Sequence, residues 1–281
     1  MAGRQHRRSG SADREGATVS DPMQRGRFAT PVRCGETIER VPGPAARNVH
    51  ALLTHLERQG FPLSPRPLGM TGEGREILSF LPGDTGYPPL TDLLRSDETL
   101  VSVARAVRAL HDATQGFVAP EPGRWHRMEL AVPAVIDCIG HHDLAPWNFV
   151  FDDGGEVAGI LDWDTAGPSN RVWDLAYAFH HLVPFHPPDG LAGFGWTREP
   201  DRARRLRLFT DAYGRDIRPE QVVDLAALRL MGMAAYIDVQ VQAADPAFAV
   251  HRDERHADGY RAAAAYILTH RDDLLDDRDH R

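Results

Sequence analysis

Gly140-His141-His142-Asp143-Leu144-Ala145-Pro146-Trp147-Asn148 and, further along, Ile160-Leu161-Asp162-Trp163-Asp164 decide how this chain is read. Pro146 and the short apolar run 135–139 place Asp143 on a loop and not inside a helix. The second stretch is an apolar strand ending in carboxylates. Moving a phosphoryl group from a nucleotide needs a carboxylate to orient the accepting hydroxyl, together with oxygen ligands for magnesium on the phosphates. His-x-Asp-x-x-x-x-Asn followed by a strand with a terminal Asp supplies all three groups. Asp143 is therefore the candidate catalytic base, and Asn148 and Asp162 the candidate metal ligands. Asp164 either assists the metal shell or caps the turn that follows.

Composition narrows the class. The chain has 281 residues, 42% of them hydrophobic, and a net charge of -8. Its mean hydropathy of -0.39 is ordinary for a globular protein. No apolar run reaches the roughly 20 residues that span a bilayer. The Arg-rich N-terminus lacks the apolar segment of a secretory signal. The acidic balance argues against nucleic acid as a partner and favours a cationic or neutral substrate. Cys34 and Cys138 form no C-x-x-C pair and read as small core fillers of a reduced, cytoplasmic protein. No lysine occurs, so all 32 basic residues are arginine, and every mechanism that needs a lysine is excluded.

Along the chain, residues 1–27 read as a disordered tail. Residues 28–83 read as a small β-rich unit. Within it, 31–41 gives two short strands turning at Gly35, and Ala45–Gln59 an amphipathic helix with Val49, Leu52, Leu53 and Leu56 on one face, closed by Gly60. Pro65–Gly69 leads to a turn at 71–74, and Glu76–Leu81 is a strand stopped by Pro82-Gly83. Residues 84–272 read as mainly helical, with helices at 100–113, 174–181, 201–213, 219–242 and 252–269. A hairpin 149–161 turns at Asp152-Asp153-Gly154-Gly155, the Pro-rich stretch 184–195 is a loop, and 273–281 is a polar tail.

The histidines invite other readings. Neighbours on an extended segment point to opposite sides, so His141 and His142 rarely share one metal ion. His141 is expected to hold the loop, paired with Asp174, and His142 to line the site or face solvent. His111-Asp112 and His142-Asp143, with His180, His181 and His186, suggest a metal-dependent phosphohydrolase. That reading needs a His-Asp pair on a helix, whereas His142-Asp143 lies in a loop before Pro146. A helix end and loop is the plainer reading of His180, His181 and His186. Trp147 and Trp163 flank the site and either stack a ligand ring or pack the hairpin.

These residues resemble the aminoglycoside phosphotransferase (phosphotransferase enzyme) family, relatives of protein and choline kinases. HHDLAPWN, ILDWDTAGP and VWDLAYAF carry the resemblance, supported by ARAVRALHDA and ILSFLPGDT. It covers residues 31–270 in order and is most specific over 140–180. It implies an α+β, bilobal protein-kinase-like fold with a reduced β-rich N-terminal lobe and a mainly helical C-terminal lobe. It further implies Asp143 as base, Asn148 and Asp162 as Mg2+ ligands, ATP or GTP as co-substrate, and the backbone of Ser79, Phe80 and Leu81 against the nucleobase. Relatives also carry a phosphate-anchoring Lys on the third strand and a Glu on the next helix. Here Arg40, or less favourably Arg33, takes the strand position. The helix position falls near Val49 or His50, two turns before Glu57. Acceptor-binding carboxylates are sought on the C-terminal helices at Asp238, Asp253 and Glu254.

Two functions follow as expectations. One is a small-molecule phosphotransferase acting on an aminoglycoside-like or other small alcohol. The other is a degenerate kinase-like protein that binds a nucleotide or ligand without turnover, suggested by the altered N-terminal lobe.

Overall fold

The computed structural model describes residues 31–130, 133, 135–214 and 217–276. The tail read over 1–27 and the end of the chain from 277 lie outside them. β1 (Val32–Cys34) and β2 (Thr37–Arg40) form the expected hairpin, with Gly35 at φ 65 in its turn. An L side chain there would be strained. After α1 (Ala46–Arg58), β3 (Pro67–Met70) and β4 (Glu76–Ser79) complete an antiparallel sheet of order β1-β2-β4-β3. The β3 segment, expected only as the approach to a turn, is an edge strand with an irregular register between Pro67 and Gly69. Pro and Gly give no period-2 pattern, so its pairing was not legible locally. The β2–β4 register sets Arg40 opposite Glu76.

Helix α1 buries Val49, Leu52, Leu53 and Leu56, the apolar face read from its spacing. Each leucine so placed is worth roughly 1.5–3 kcal/mol against exposure. That face does not close a separate core. It joins Leu144, Phe149, Ile160, Phe179 and Leu206 in one apolar cluster that spans both lobes, so the β-rich lobe is seated on the segments that carry the candidate site.

The larger lobe begins with β5 (Asp84–Thr85), which pairs with residues 150–151 further along, and α2 (Asp97–Ala113), capped by Ser96 accepting from the Thr99 N–H at 3.2 Å. Then come β6 (Cys138–Gly140), β7 (Phe149–Phe151), β8 (Val157–Ile160) and β9 (Gly167–Ser169). β7 and β8 are the expected hairpin, and β6 pairs with β9 on either side of residues 141–166. The helices are α3 (Arg171–Leu182), α4 (Arg202–Tyr213), α5 (Pro219–Gln242), α6 (Ala249–Asp253), α7 (His256–Thr269) and α8 (Arg271–Leu275). The single helix expected over 252–269 is broken before α7 by Arg255, which adopts φ 55. Helix α8 carries the folded chain past residue 272 and buries Leu274. Cys34 is exposed and not a core filler, because it ends an edge strand; Cys138 is buried as expected. Among the described residues no helix is long and apolar enough to cross a membrane.

Candidate active site

Two loops meet at the junction of the lobes, tied together through the backbone of Leu161. Its N–H donates to the Asn148 carbonyl at 2.7 Å. Its carbonyl accepts from His141 Nε2, also at 2.7 Å. Burial pushes the His141 imidazole below its ordinary range and keeps it neutral, so Nε2–H serves as a donor. His141 Nδ1 in turn accepts from the Asp143 N–H at 3.3 Å. This lacing sets Asp162 beside the Asp143–Asn148 segment. Asn148 Nδ2 donates to both Asp143 O and Asp143 Oδ2 at 2.8 Å. With two acceptors facing the amide nitrogen, the Asn148 carbonyl oxygen must face the other way.

Each of these loops holds a strained residue. His142 (φ 66) and Asp162 (φ 57) adopt the left-handed conformation, which costs roughly 1–3 kcal/mol for a non-glycine residue and persists only when the surroundings enforce it. For His142 the enforcing group is Asp174. This carboxylate is fully buried and accepts from His141 N (2.9 Å), His142 N (2.7 Å) and His111 Nε2 (3.0 Å). Burial alone would raise its pKa. The His111 contact and the other charges around it outweigh burial and hold it well below the usual carboxylate range. A second prop is Arg229, fully buried, which donates to the His142 carbonyl at 2.6 Å and the Trp173 carbonyl at 2.8 Å.

The carboxylates face one cation. Arg40 binds Asp164 through both terminal nitrogens at 2.9 and 2.7 Å, and its Nη1 lies 3.7 Å from Asp162 Oδ1. Its Nε stands 2.6 Å from buried Glu76 Oε1, an ion pair without hydrogen-bond alignment. Burial opposes the Arg40 charge, but Asp164, Glu76 and Asp162 raise its pKa. The Asp162 side chain keeps 48% of its exposure at the mouth of this recess. Its carboxyl is raised to about 7 by its recessed position and the negative charge of Asp164 and Asp143, with Arg40 opposing. A carboxylate held among like charges and half open to solvent, next to an outward amide oxygen, is a donor set suited to a hard cation.

A trifolitoxin immunity protein of Rhizobium leguminosarum bv. trifolii is 35% identical over 189 residues, 66% of this chain and 70% of that protein. The model of the phosphotransferase enzyme family matches residues 124–208, a span holding Asp143, Asn148, Asp162 and Asp174. The chain belongs to the phosphotransferase enzyme family. Its fold is that of solved kinase-like structures. A choline/ethanolamine kinase family protein of Mesorhizobium loti superposes with TM-score 0.57 at 17% identity, covering 92% of this chain and 96% of that one. The macrolide 2'-phosphotransferase MphH of Brachybacterium faecium gives 0.52 at 16% identity, covering 90% and 91%. The bilobal α+β, protein-kinase-like architecture expected from the sequence is therefore found.

Within this family member, several expected roles differ from the geometry. Asp164 does not cap its turn; it is the bidentate partner of Arg40. His142 is neither lining nor solvent-facing. It is buried, with Nδ1 3.0 Å from buried Glu129 Oε1. His141 meets Asp174 through its backbone N–H and not its ring. Trp163 packs at 2% exposure, donating to the Ile160 carbonyl and meeting His141 edge to face. Arg33 lies 3.6 Å over the Phe80 ring, away from the carboxylates. The Ser79 and Phe80 amides are already bonded to Arg66 O and Glu36 O. Asp238 pairs with Arg261, Asp253 with Arg252, and Glu254 with His256, so each has a basic partner.

The residue the sequence reading missed is Glu76. It is the second carboxylate on Arg40, reached from β4, and it also meets His50 Nε2 of α1 at 2.5 Å. A signal was present. Period-2 alternation puts Glu76 on the same buried face as Leu78, and a carboxylate on an apolar face requires a cationic partner. The His111-Asp112 pair is engaged elsewhere: His111 bonds Asp174 and Tyr213, and Asp112 pairs with Arg171 and Arg108, whereas His180, His181 and His186 do come together, with one nitrogen of each within 4.8 Å of the others.

Proposed function

We propose that this protein transfers the γ-phosphoryl group of ATP or GTP to a hydroxyl of a small molecule. The observation that carries the reading is the held Asp143–Asn148 pair laced through Leu161 to Asp162, with Arg40 as the cation beside it. Mg2+, if held by Asp162 and the Asn148 carbonyl oxygen, would neutralise phosphate charge as it develops. Asp143 orients the acceptor hydroxyl and takes up its proton, with the Asn148 amide fixing one of its oxygens. Arg40 offers a planar, permanently charged fork where a lysine ammonium would stand, and Glu76 and Asp164 hold it in place. A nucleobase would meet the Ser79 and Phe80 carbonyls and Leu81, since two of the amides are engaged. The acceptor class spans aminoglycosides, macrolides and other small alcohols, and the name of the immunity protein adds a toxin as a candidate.

The test is a Mg2+-dependent transfer assay with ATP and GTP against such a panel, on the wild type, Asp143→Asn and Asp162→Ala. Asp143→Asn should lose at least about a hundredfold in turnover, the lower end of general-base contributions, while keeping nucleotide affinity. Asp162→Ala should lose Mg2+-dependent nucleotide binding. Undiminished transfer by Asp143→Asn would remove that residue from the mechanism. A second reading, a kinase-like binding protein without turnover, is favoured by one observation: Arg40 already has Glu76 and Asp164 as partners. Nucleotide bound but never consumed across the panel would select it.

A further inference from the structure

The last turn of α3 ends in two adjacent histidines, and the loop after it folds a third back onto them. Successive helical residues are offset by about 100°, so His180 and His181 can both face one point beyond the helix end. Phe185 N–H closes the turn on the His180 carbonyl at 3.1 Å, and His186 N–H bonds Pro184 O at 2.8 Å. Arg202 then clamps the returning backbone, donating Nε to Pro184 O at 2.8 Å and Nη2 to His186 O at 2.9 Å. The His180 and His186 ring centroids are 4.0 Å apart, and those of His180 and His181 are 4.5 Å apart. One nitrogen from each of the three lies within 4.8 Å of the others.

The cluster is buried, and four of its six ring nitrogens are unanswered. His180 and His181 are 3% and 4% exposed. His180 Nδ1, both ring nitrogens of His181 and His186 Nε2 are buried without a hydrogen-bond partner. Buried imidazole nitrogens in native proteins are nearly always paired. The walls here are rings: Trp147, Tyr177, Phe194 and Tyr260. None of these contacts gives the His nitrogens a partner.

We propose that His180, His181 and His186 form a site for a borderline-soft divalent cation, Zn2+ by preference. Three imidazoles suit Zn2+ and its transition-metal neighbours; Mg2+ and Ca2+ prefer oxygen ligands. Zn–N bonds of about 2.0–2.1 Å place tetrahedral ligands roughly 3.4 Å apart, which modest ring rotations reach from the present spacing. Three protein ligands leave the fourth position to water or another small donor. Burial, reinforced by its histidine neighbours, pushes His180 well below the imidazole range, and burial with Arg202 pushes His186 down to about 4. The lone pairs are therefore available at neutral pH without proton loss. The site is distinct from the Asp162–Asn148 oxygen donors, yet it abuts the catalytic loop. The Trp147 ring meets His181 at 4.8 Å, and Trp147 is the chain neighbour of Asn148. A cation there would brace that loop from α3.

The experiment uses untagged full-length protein dialysed against chelator, then titrated with Zn2+ alone and with Co2+ alone. Metal content is read by elemental analysis and geometry by the visible absorption of Co2+. Wild type should bind one equivalent with a tetrahedral Co2+ spectrum, and Asp162→Ala should leave that equivalent in place. His186→Asn, a loop substitution, should weaken binding at least tenfold with an unchanged circular dichroism spectrum. His251→Asn, in the other close histidine pair (His251–His256), should have no effect. No Zn2+ or Co2+ retained by wild type, or equal affinity in His186→Asn, would overturn the proposal. So would an octahedral Co2+ spectrum that disappears in Asp162→Ala.

Discussion

Asp174→Asn isolates the part of the 141–148 loop that a carboxylate alone can hold. The wild-type side chain accepts three hydrogen bonds, Oδ2 from His141 N and His111 Nε2 and Oδ1 from His142 N. Asparagine keeps the shape but only one oxygen. If that oxygen faces His142, the amide nitrogen faces the His141 N–H and His111 Nε2. His111 can change tautomer, because its other nitrogen meets a hydroxyl, Tyr213 OH at 2.8 Å. The His141 N–H cannot change and is left buried against another donor. An orphaned buried donor costs about 1–3 kcal/mol, and the surviving bonds lose their charge assistance. The sum is about 3 kcal/mol. With a urea slope of about 2–3 kcal/mol/M, the unfolding midpoint should fall by roughly 1–1.5 M. The pH dependence adds a sign. The folded-state pKa of Asp174 is depressed, so its contribution is complete above the unfolded value near 3.9 and is lost as pH falls below it. The gap between wild type and Asp174→Asn should therefore narrow below about pH 4. An Asp174→Asn midpoint within 0.2 M of wild type at pH 7, roughly 0.5 kcal/mol on that slope, would refute this account of the loop.

Three further outcomes are expected. Glu129 is buried, yet Arg229 and His142 hold its pKa down to about 2, so Glu129→Gln should cost about 3 kcal/mol at pH 7. That cost should vanish between about pH 4.3 and pH 2, as read by urea unfolding at stepped pH; a pH-independent cost would rule out the charge explanation. Arg40→Ala strips the cation from buried Glu76 and from Asp164 and should cost roughly 3–5 kcal/mol, with Arg40→Lys recovering part of it. Equal stability of all three proteins in thermal melts would show that the pair is not needed. In Gly140→Ala the added Cβ would come within 2.8 Å of Ser169 Cβ and 2.9 Å of Asp174 Cγ. That crowding should cost roughly 1–3 kcal/mol and lower Tm by several degrees; an unchanged Tm would mean the β6–β9 pair yields freely.

What the sequence determined by itself was local. Apolar spacing fixed α1 and α2, turn chemistry at Asp152–Gly155 fixed the β7–β8 hairpin, and the His141–Asn148 spacing with Asp162 marked the site. Each depends on residues a few positions apart, where periodicity and backbone preference act. Only the tertiary structure decided the partners. Arg40 and Asp164 are 124 positions apart, and His111 and Asp174 are 63. Nothing local specifies that Glu76 meets Arg40, that Arg229 props His142, or that His186 returns to His180 and His181. A buried charge or lone pair must be answered by whatever side chain packing brings within about 3 Å. The sequence can therefore announce the need, as Glu76 does on an apolar strand face, while the fold alone names what meets it.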